Sequence, residues 1–432
     1  MLGIKGRGGF RKEIAPESLF KIVTSTNKLV HSTEFKIRSR KKITYFTRKR
    51  KMTFDELMLY ILSSYECSIQ CGLRRFFPVI RKKSPMKQQS FSEARKKIKV
   101  SAFIESFKLS VDVLSKSCQS TWHGFLVFAI DGTKIALSQD KVLLDHYGGT
   151  GANASSPTAQ GSIMYDILND IVYDALIEPL ATDERTLAIK HIETVLERLP
   201  DRRMLVIFDR GYPSFELIKM LEDLGIKYLM RVKRKFNNDI DAQKEPDGYV
   251  RLVKDNEFLD VRVIKFTLDS GELEMLITNL DDGRLGINAF KKLYFMRWPI
   301  ETKYNVVKNK LQLENFSSRT VEGVEQDFYA IMYLTNVAAA AAHDAQPKVD
   351  AARLDKNNKY KYRVNINELI GILKDRFVSA LLIKQDKERR EAIEDILNEI
   401  ASNVVPIRPN RSVERNPYPR STKFHHNQRC NA

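Results

Sequence analysis

FLVFAID, residues 125–131, is a run of six apolar side chains closed by a carboxylate, and MLVIFD, residues 204–209, repeats the pattern. Continuous apolar runs of this length, bounded by turn residues, suit strands buried on both faces of a sheet. Small or polar residues follow each run, GTK after Asp131 and RGY after Asp209. A carboxylate at that point sits where a buried strand leaves its sheet and can face a ligand. Strand-terminal Asp residues also begin ordinary turns, so neither one alone carries a function.

The neighbouring segments build one sheet around these two runs. SIMYDILND and IVYDALIEP, which follow one another from residue 162, read as a hairpin turning near Asn169-Asp170. A helix is expected over 184–198, and Pro213 suits the first turn of another that runs to Leu224. IKYLMRVK (226–233) supplies a further strand. Three strands, helix, strand, helix, strand is a mixed α/β pattern with a central sheet and flanking helices. Residues 234–287 break that rhythm. YVRLV, LDVRVIKFTL and ELEMLITNL are strand-like there and read as a β-rich insertion rather than more parallel sheet. Helical patterns return at about 288–311, 321–343, 366–382 and 386–402. Residues 403–432 carry a net charge of +5 and are expected as a basic, flexible tail.

At 432 residues, 43% hydrophobic and 29% charged, the composition is globular, which argues against a mostly disordered or fibrous chain. The uncharged apolar stretch Phe328 to His343 falls short of the roughly 20 residues a membrane-spanning helix needs. The N-terminal residues lack the apolar core of a signal peptide, so export is not expected. Four cysteines suit a reducing cytoplasm and no disulfide scaffold. Charge is uneven. Residues 1–120 hold 27 Lys and Arg against 9 Asp and Glu, and the rest of the chain balances. The whole excess of +18 therefore sits in the first quarter, which points to a polyanion, with nucleic acid ahead of a membrane. KIRSRKKITYFTRKRK (36–51) carries nine basic residues and no acid. Thr53-x-x-Glu56 and Ser90-x-x-Glu93 then read as capping boxes opening helices, the second ending near Lys99. With a further helix at about 102–116, this resembles a helix-turn-helix, so residues 1–120 are expected to form a basic helical DNA-binding region.

Chemistry gathers on LYFMRWPIETKYNVVKNKL. Tyr294, Arg297, Glu301 and Lys308 lie at offsets 0, 3, 7 and 14, inside an arc of about 60° on a helix. Leu293, Met296, Ile300, Val307 and Leu311 form the adjoining apolar face. One helix would then pack on the sheet and present a phenol, a guanidinium, a carboxylate and an ammonium along one edge. Pro299 lies inside this pattern and either kinks the helix or begins it.

The spacing Tyr294-x2-Arg297-x3-Glu301-x6-Lys308, with the Asp131-Gly-Thr and Asp209-Arg-Gly-Tyr strand ends in order before it, resembles the signature of bacterial insertion-sequence transposases of the DDE type. Tyr228-Leu-Met-Arg-Val-Lys233 and Leu276-Ile-Thr-Asn-Leu280 look like the segments that flank the β insertion in that group. The resemblance covers about residues 121–320. It implies an RNase H-like catalytic core split as 121–233 and 288–320 around the insertion 234–287, followed by a helical region 321–402. It implies two Mg²⁺ or Mn²⁺ ions held by Asp131, Asp209 and Glu301, cleavage at the element's ends, and joining to target DNA. Tyr294, Arg297 and Lys308 would serve the DNA, joined by Trp298, Arg210 and Arg231. The partners implied are double-stranded terminal repeats and target DNA, with a homodimer on paired ends, no membrane, and a bacterial, nucleoid-associated cytoplasmic location. A non-catalytic DNA-binding relic and an RNase H-like nuclease that cuts without joining are the alternatives.

Some members also hold a flipped base near the insertion. Here the two tryptophans, Trp122 and Trp298, both lie outside it, and Phe236, Tyr249, Phe258 and Phe266 are expected in the core. Cys67-x3-Cys71 lacks a second ligand pair and reads as helical packing rather than zinc. Asp166, Asp170 and Asp183 compete for catalytic duty without the strand-end context.

Overall fold

The computed structural model describes residues 17–48, 50–63, 67–268, 270–354 and 356–408. They fall into two compact units, one built on 119–134 and 160–304, the other on the described parts of 13–118, 135–159 and 305–432. His425, His426 and Cys430, with most of the expected tail, lie outside the described residues.

The sheet strands are β1 (Leu126–Ala136), β2 (Gly149–Thr150), β3 (Ser156–Asp166), β4 (Ile171–Pro179), β5 (Met204–Phe208), β6 (Lys227–Val232), β7 (Asp247–Lys254), β8 (Glu257–Thr267) and β9 (Leu273–Thr278). In the first unit their order is β4-β3-β1-β5-β6-β9-β8-β7. β1, β5 and β6 are parallel, with Val127 opposite Leu205 and Val206 opposite Tyr228. β3 runs against β1: Ile167 N–H donates to the Val127 carbonyl, and Leu137 N–H to that of Pro157. The hairpin expected near Asn169-Asp170 turns there, with Asp170 in the left-handed region at φ 57°. Helix Glu184–Arg198 connects β4 to β5, and helix Phe215–Asp223 connects β5 to β6. This is the mixed α/β sheet with flanking helices expected from the sequence pattern. Both apolar runs are fully buried: Val127, Phe128, Ala129 and Ile130, and Leu205, Val206, Ile207 and Phe208, each show 0% exposure.

The three strands read as an insertion form an antiparallel meander that continues the same sheet, because β9 pairs with β6. Two of its aromatics correct the expectation of core packing. Tyr249 and Phe258 are each 60% exposed, since they stand on the face of β7 and β8 turned to solvent. Arg251 covers Phe258 at 4.5 Å, and the Tyr249 hydroxyl donates to Asp281. Phe266 packs against the core cluster around Leu276 and Phe290.

The second unit is helical. Helix Val321–Ala351, 31 residues, buries the uncharged stretch against helices Ser18–His31, Ser101–Ser117 and Asp386–Ser402. Small side chains from Ala338 to Ala341 allow that close approach. No described helix is long and apolar enough to cross a membrane. Helices Ile366–Leu382 and Asp386–Ser402 start and stop at the expected residues. The Thr53 capping box is complete, with both reciprocal bonds formed. The Ser90 box is not. That helix starts earlier, at Gln88, where the Gln70 side chain accepts the Gln88 N–H, and it ends at Arg95. Val404–Ile407, expected in the loose tail, pairs as a strand with Lys361–Val364. Pro213 precedes the N-cap Ser214 instead of opening the helix, and the Ser214 hydroxyl accepts the Leu217 N–H.

Candidate active site

Asp131 lies in β1, two residues beyond the last parallel pairing with β5, and Asp209 directly follows β5. β1 runs on to Ala136, so Asp131 does not end its strand as expected; because β1 and β5 are adjacent and parallel, Asp131 and Asp209 still come to the same end of their paired segment. The third acid arrives differently from the expected single helix. Helix Ile287–Phe295 stops, three residues turn with short-range bonds such as Arg297 N–H to the Tyr294 carbonyl, and Pro299 opens a second helix to Asn305. Proline lacks the N–H that a continuous helix would need and suits a first turn. A π-helical turn, Val306–Lys310, follows.

The break still brings the polar residues together. Tyr294 donates its hydroxyl to Asp209 Oδ1 at 3.0 Å. Arg297, 8% exposed, reaches Glu301 Oε1 at 3.2 Å and Asp131 Oδ2 at 4.0 Å. Tyr304, one turn beyond Glu301, donates to the Asp131 carbonyl at 2.6 Å, and Ser162 donates to the same oxygen at 3.3 Å. Ser162 contacts His191 at 3.0 Å, and His191 contacts Asp174 at 2.7 Å, all buried. Among the described residues no three His, Cys, Asp or Glu side chains converge as a ready metal group. It is the Arg297 guanidinium that links the carboxylates.

The two aspartates titrate in opposite directions. Burial pushes Asp131 up to about 6; Arg297 and the Gly132 N–H oppose this, while Asp209 and Glu184 add to it. Burial would raise Asp209 too, but the Arg210 N–H, Arg297, the Tyr294 hydroxyl and Arg231 outweigh it and hold it below the usual range. Burial and the charge of Asp209 keep the Tyr294 phenol protonated, so it remains a donor. Arg297 is raised despite its burial, by Asp209, Tyr294, Asp131 and Glu301.

The remaining candidates scatter. Trp298 is 52% exposed beside Arg297. Arg210 is exposed, with its backbone N–H on Asp209. Arg231 pairs with Glu274 at 2.5 Å and Glu272 at 3.2 Å. Lys308 belongs to the second unit, where it pairs with Glu314 at 3.3 Å. The competing acids have structural duties: Asp166 accepts backbone N–H bonds from Leu168 and Asn169 at the hairpin turn, Asp170 pairs with Lys303, and Asp183 caps a helix.

Sequence reading missed Tyr304 and Glu184, and gave no role to Tyr212 although it closes the Asp209-Arg-Gly-Tyr motif. Tyr304 was within reach, three residues after Glu301. Glu184 opens the helix Glu184–Arg198, and its carboxylate lies against Gly132 and Gly211, the glycines just beyond Asp131 and Asp209. A Cβ on Gly132 would stand 2.7 Å from Glu184 Oε1.

The family model of the transposase DDE domain matches residues 122–337. No curated protein matches the chain significantly. Among solved structures, the chain is similar to a piggyBac transposase in a synaptic complex with hairpin DNA, at 11% identity and a TM-score of 0.46, over 89% of this chain and 86% of that one.

Proposed function

The chain belongs to the family of transposase DDE domains, and from that premise we propose that it is the transposase of a bacterial insertion sequence. It cuts DNA at the element's terminal repeats and joins the freed 3′ ends to target DNA. Members of this family depend on divalent metal ions. The residues present fit such ions: the donors are hard carboxylate oxygens, and a cationic guanidinium already stands between Asp131 and Glu301. Asp131, Asp209 and Glu301 would hold two Mg²⁺ or Mn²⁺, which activate the attacking hydroxyl and stabilise the leaving oxygen.

The chain's own groups then do the positioning. Tyr294 fixes the Asp209 carboxylate, while Tyr304 and Ser162 clamp the backbone of Asp131, so two of the three acids are held before DNA arrives. Arg297 is placed to exchange its carboxylate partners for phosphate oxygens, with Lys308, Arg210, Arg231 and Trp298 as further DNA contacts. Residues 1–120 serve as the basic DNA-binding region, 121–233 and 288–320 as the catalytic core, 234–287 as its β-rich insertion and 321–402 as the helical C-terminal region; of the basic tail read over 403–432, Val404–Ile407 belongs instead to the strand pair with Lys361–Val364. The working form is a homodimer on paired ends in a bacterial cytoplasm, associated with the nucleoid.

One observation carries this reading. Three acids from three separate elements, far apart in sequence, come to one sheet edge around one buried arginine. Asp131→Asn and Asp209→Asn should abolish Mg²⁺-dependent cleavage of a labelled element end, by roughly three orders of magnitude or about 4 kcal/mol in the barrier. Binding of the end should persist, because no basic contact is lost. Cleavage at the wild-type rate by either variant sinks the assignment.

A further inference from the structure

Beside the three proposed metal ligands stands a fourth carboxylate. The Glu184 side chain lies against Gly132 of β1, next to Asp131, and against Gly211, two residues after Asp209. A Cβ on Gly132 would meet Oε1 at 2.7 Å, and one on Gly211 would meet Oε2 at 3.7 Å. The glycine at 132 is therefore what lets this carboxylate approach the sheet edge. Its hydrogen-bond partner there is a neutral amide, Gln160 Nε2, at 3.5 Å, and among the described residues no ion pair offsets its charge. It acts electrostatically on Asp131, Tyr212 and Tyr304 together.

A second and independent observation points to a ligand at the same place. Tyr212, three residues after Asp209, is 1% exposed, and its hydroxyl has no hydrogen-bond partner. A buried phenol without an acceptor costs free energy unless something absent from the protein alone satisfies it. The other two phenols near the site have protein acceptors, Tyr294 in Asp209 and Tyr304 in the Asp131 carbonyl. The acids acting on Tyr212 are Glu184 first, then Asp131 and Asp209. Glu184 thus adds a fourth negative charge beside Asp131, while the arginine Arg297 answers only Asp131, Asp209 and Glu301, so the acids outnumber the cation that faces them.

We propose that Glu184 is a fourth carboxylate ligand of the divalent-cation site, and that the Tyr212 hydroxyl donates to an oxygen ligand of the cation it holds. This rests on the reading of Asp131, Asp209 and Glu301 as metal ligands. The test therefore measures the full-length protein's affinity for Mn²⁺ directly, from the electron paramagnetic resonance signal of free Mn²⁺, without DNA. Wild type, Asp131→Asn, Glu184→Gln, Glu184→Asp and Tyr212→Phe are compared, with folding followed by circular dichroism in the same samples. Glu184→Gln should weaken Mn²⁺ binding by about 10- to 100-fold, the range for residues that shape a metal site. Glu184→Asp should fall between it and wild type, and carries the test if the Gln variant does not fold. Tyr212→Phe should weaken binding severalfold. If Glu184→Gln binds as wild type does while Asp131→Asn is impaired, the fourth ligand is refuted and the triad stands. If neither variant is impaired, the metal site itself is refuted, and this inference with it. Unchanged binding by Tyr212→Phe refutes the phenol's part.

Discussion

Two buried arginines, one in each compact unit, live in opposite surroundings. Arg95 in the helical unit is 4% exposed and its charge is matched. Nε donates to Gln326 at 2.6 Å, Nη1 to Ser317 at 2.5 Å, and Nη2 to the Gly323 carbonyl at 2.6 Å and to Asp327 at 2.9 Å. One cation meets one anion, and all three nitrogens of the fork donate. Arg297 in the sheet unit is also buried, yet Asp131, Asp209 and Glu301 all act on it. There the negative charge exceeds the positive. Matched charge ties elements together; surplus charge at a sheet edge is held for something still to come. That difference in charge balance separates the two arginines although both are buried.

The comparison can be broken by removing each arginine in turn. Arg95→Ala strands Asp327 in the interior and should cost about 3–5 kcal/mol of stability by chemical denaturation, as for breaking a buried ion pair. Added Mg²⁺ should not restore it. Arg297→Ala should also destabilise, but Mg²⁺ should recover most of the loss, because a divalent ion can take over the guanidinium's charge. Equal responses of the two variants to Mg²⁺ would erase the distinction.

A smaller effect sharpens it. A carboxylate raised in the folded state contributes stability fully present below its unfolded pKa, and that contribution is lost as pH rises through the folded value. Asp131, pushed up to about 6, should thus make the metal-free protein less stable as pH climbs from about 4 to about 6. The loss is on the order of 2 kcal/mol. Asp131→Asn should flatten that part of the stability curve, read from melting temperatures at several pH values. The smallest effect concerns the solvent face of the meander. Tyr249→Ala and Phe258→Ala should each change stability by no more than about 0.5 kcal/mol, since both rings stand in water. A larger loss would return them to the core.

Much of this was legible in the sequence, and the particular failures have physical causes. The buried runs ending in Asp131 and Asp209 declared their strands because continuous apolar segments admit few other placements. Helices Ile366–Leu382 and Asp386–Ser402 were readable from periodicity. Ser90 misled because a capping pattern is local, whereas the Gln70 side chain that fixes the true helix start comes from another element. Tyr249 and Phe258 misled because an aromatic on an edge hairpin has the same sequence texture whichever face it occupies. The polar face from Tyr294 to Glu301 was drawn as one helix; the structure reaches the same grouping across the break at Pro299. Glu184 gave no signal at all, and Tyr212 stood in the Asp209-Arg-Gly-Tyr motif without a role of its own. The place of Glu184 depends on Gly132 and Gly211 letting a side chain from the intervening helix come close, which no spacing reveals.

The reading of Glu301 as metal ligand and Arg297 as phosphate contact is tested most directly by single-turnover cleavage of a labelled element end. Glu301→Gln and Arg297→Ala would be measured at low and moderate salt and at saturating DNA. Glu301→Gln should bind the end and fail to cut it under every condition, because saturating DNA does not replace a missing carboxylate. Arg297→Ala should cut poorly at moderate salt and recover in part at low salt, where phosphate contacts strengthen. Recovery of Glu301→Gln at low salt, with Arg297→Ala left inactive, would reverse the two roles and contradict the account.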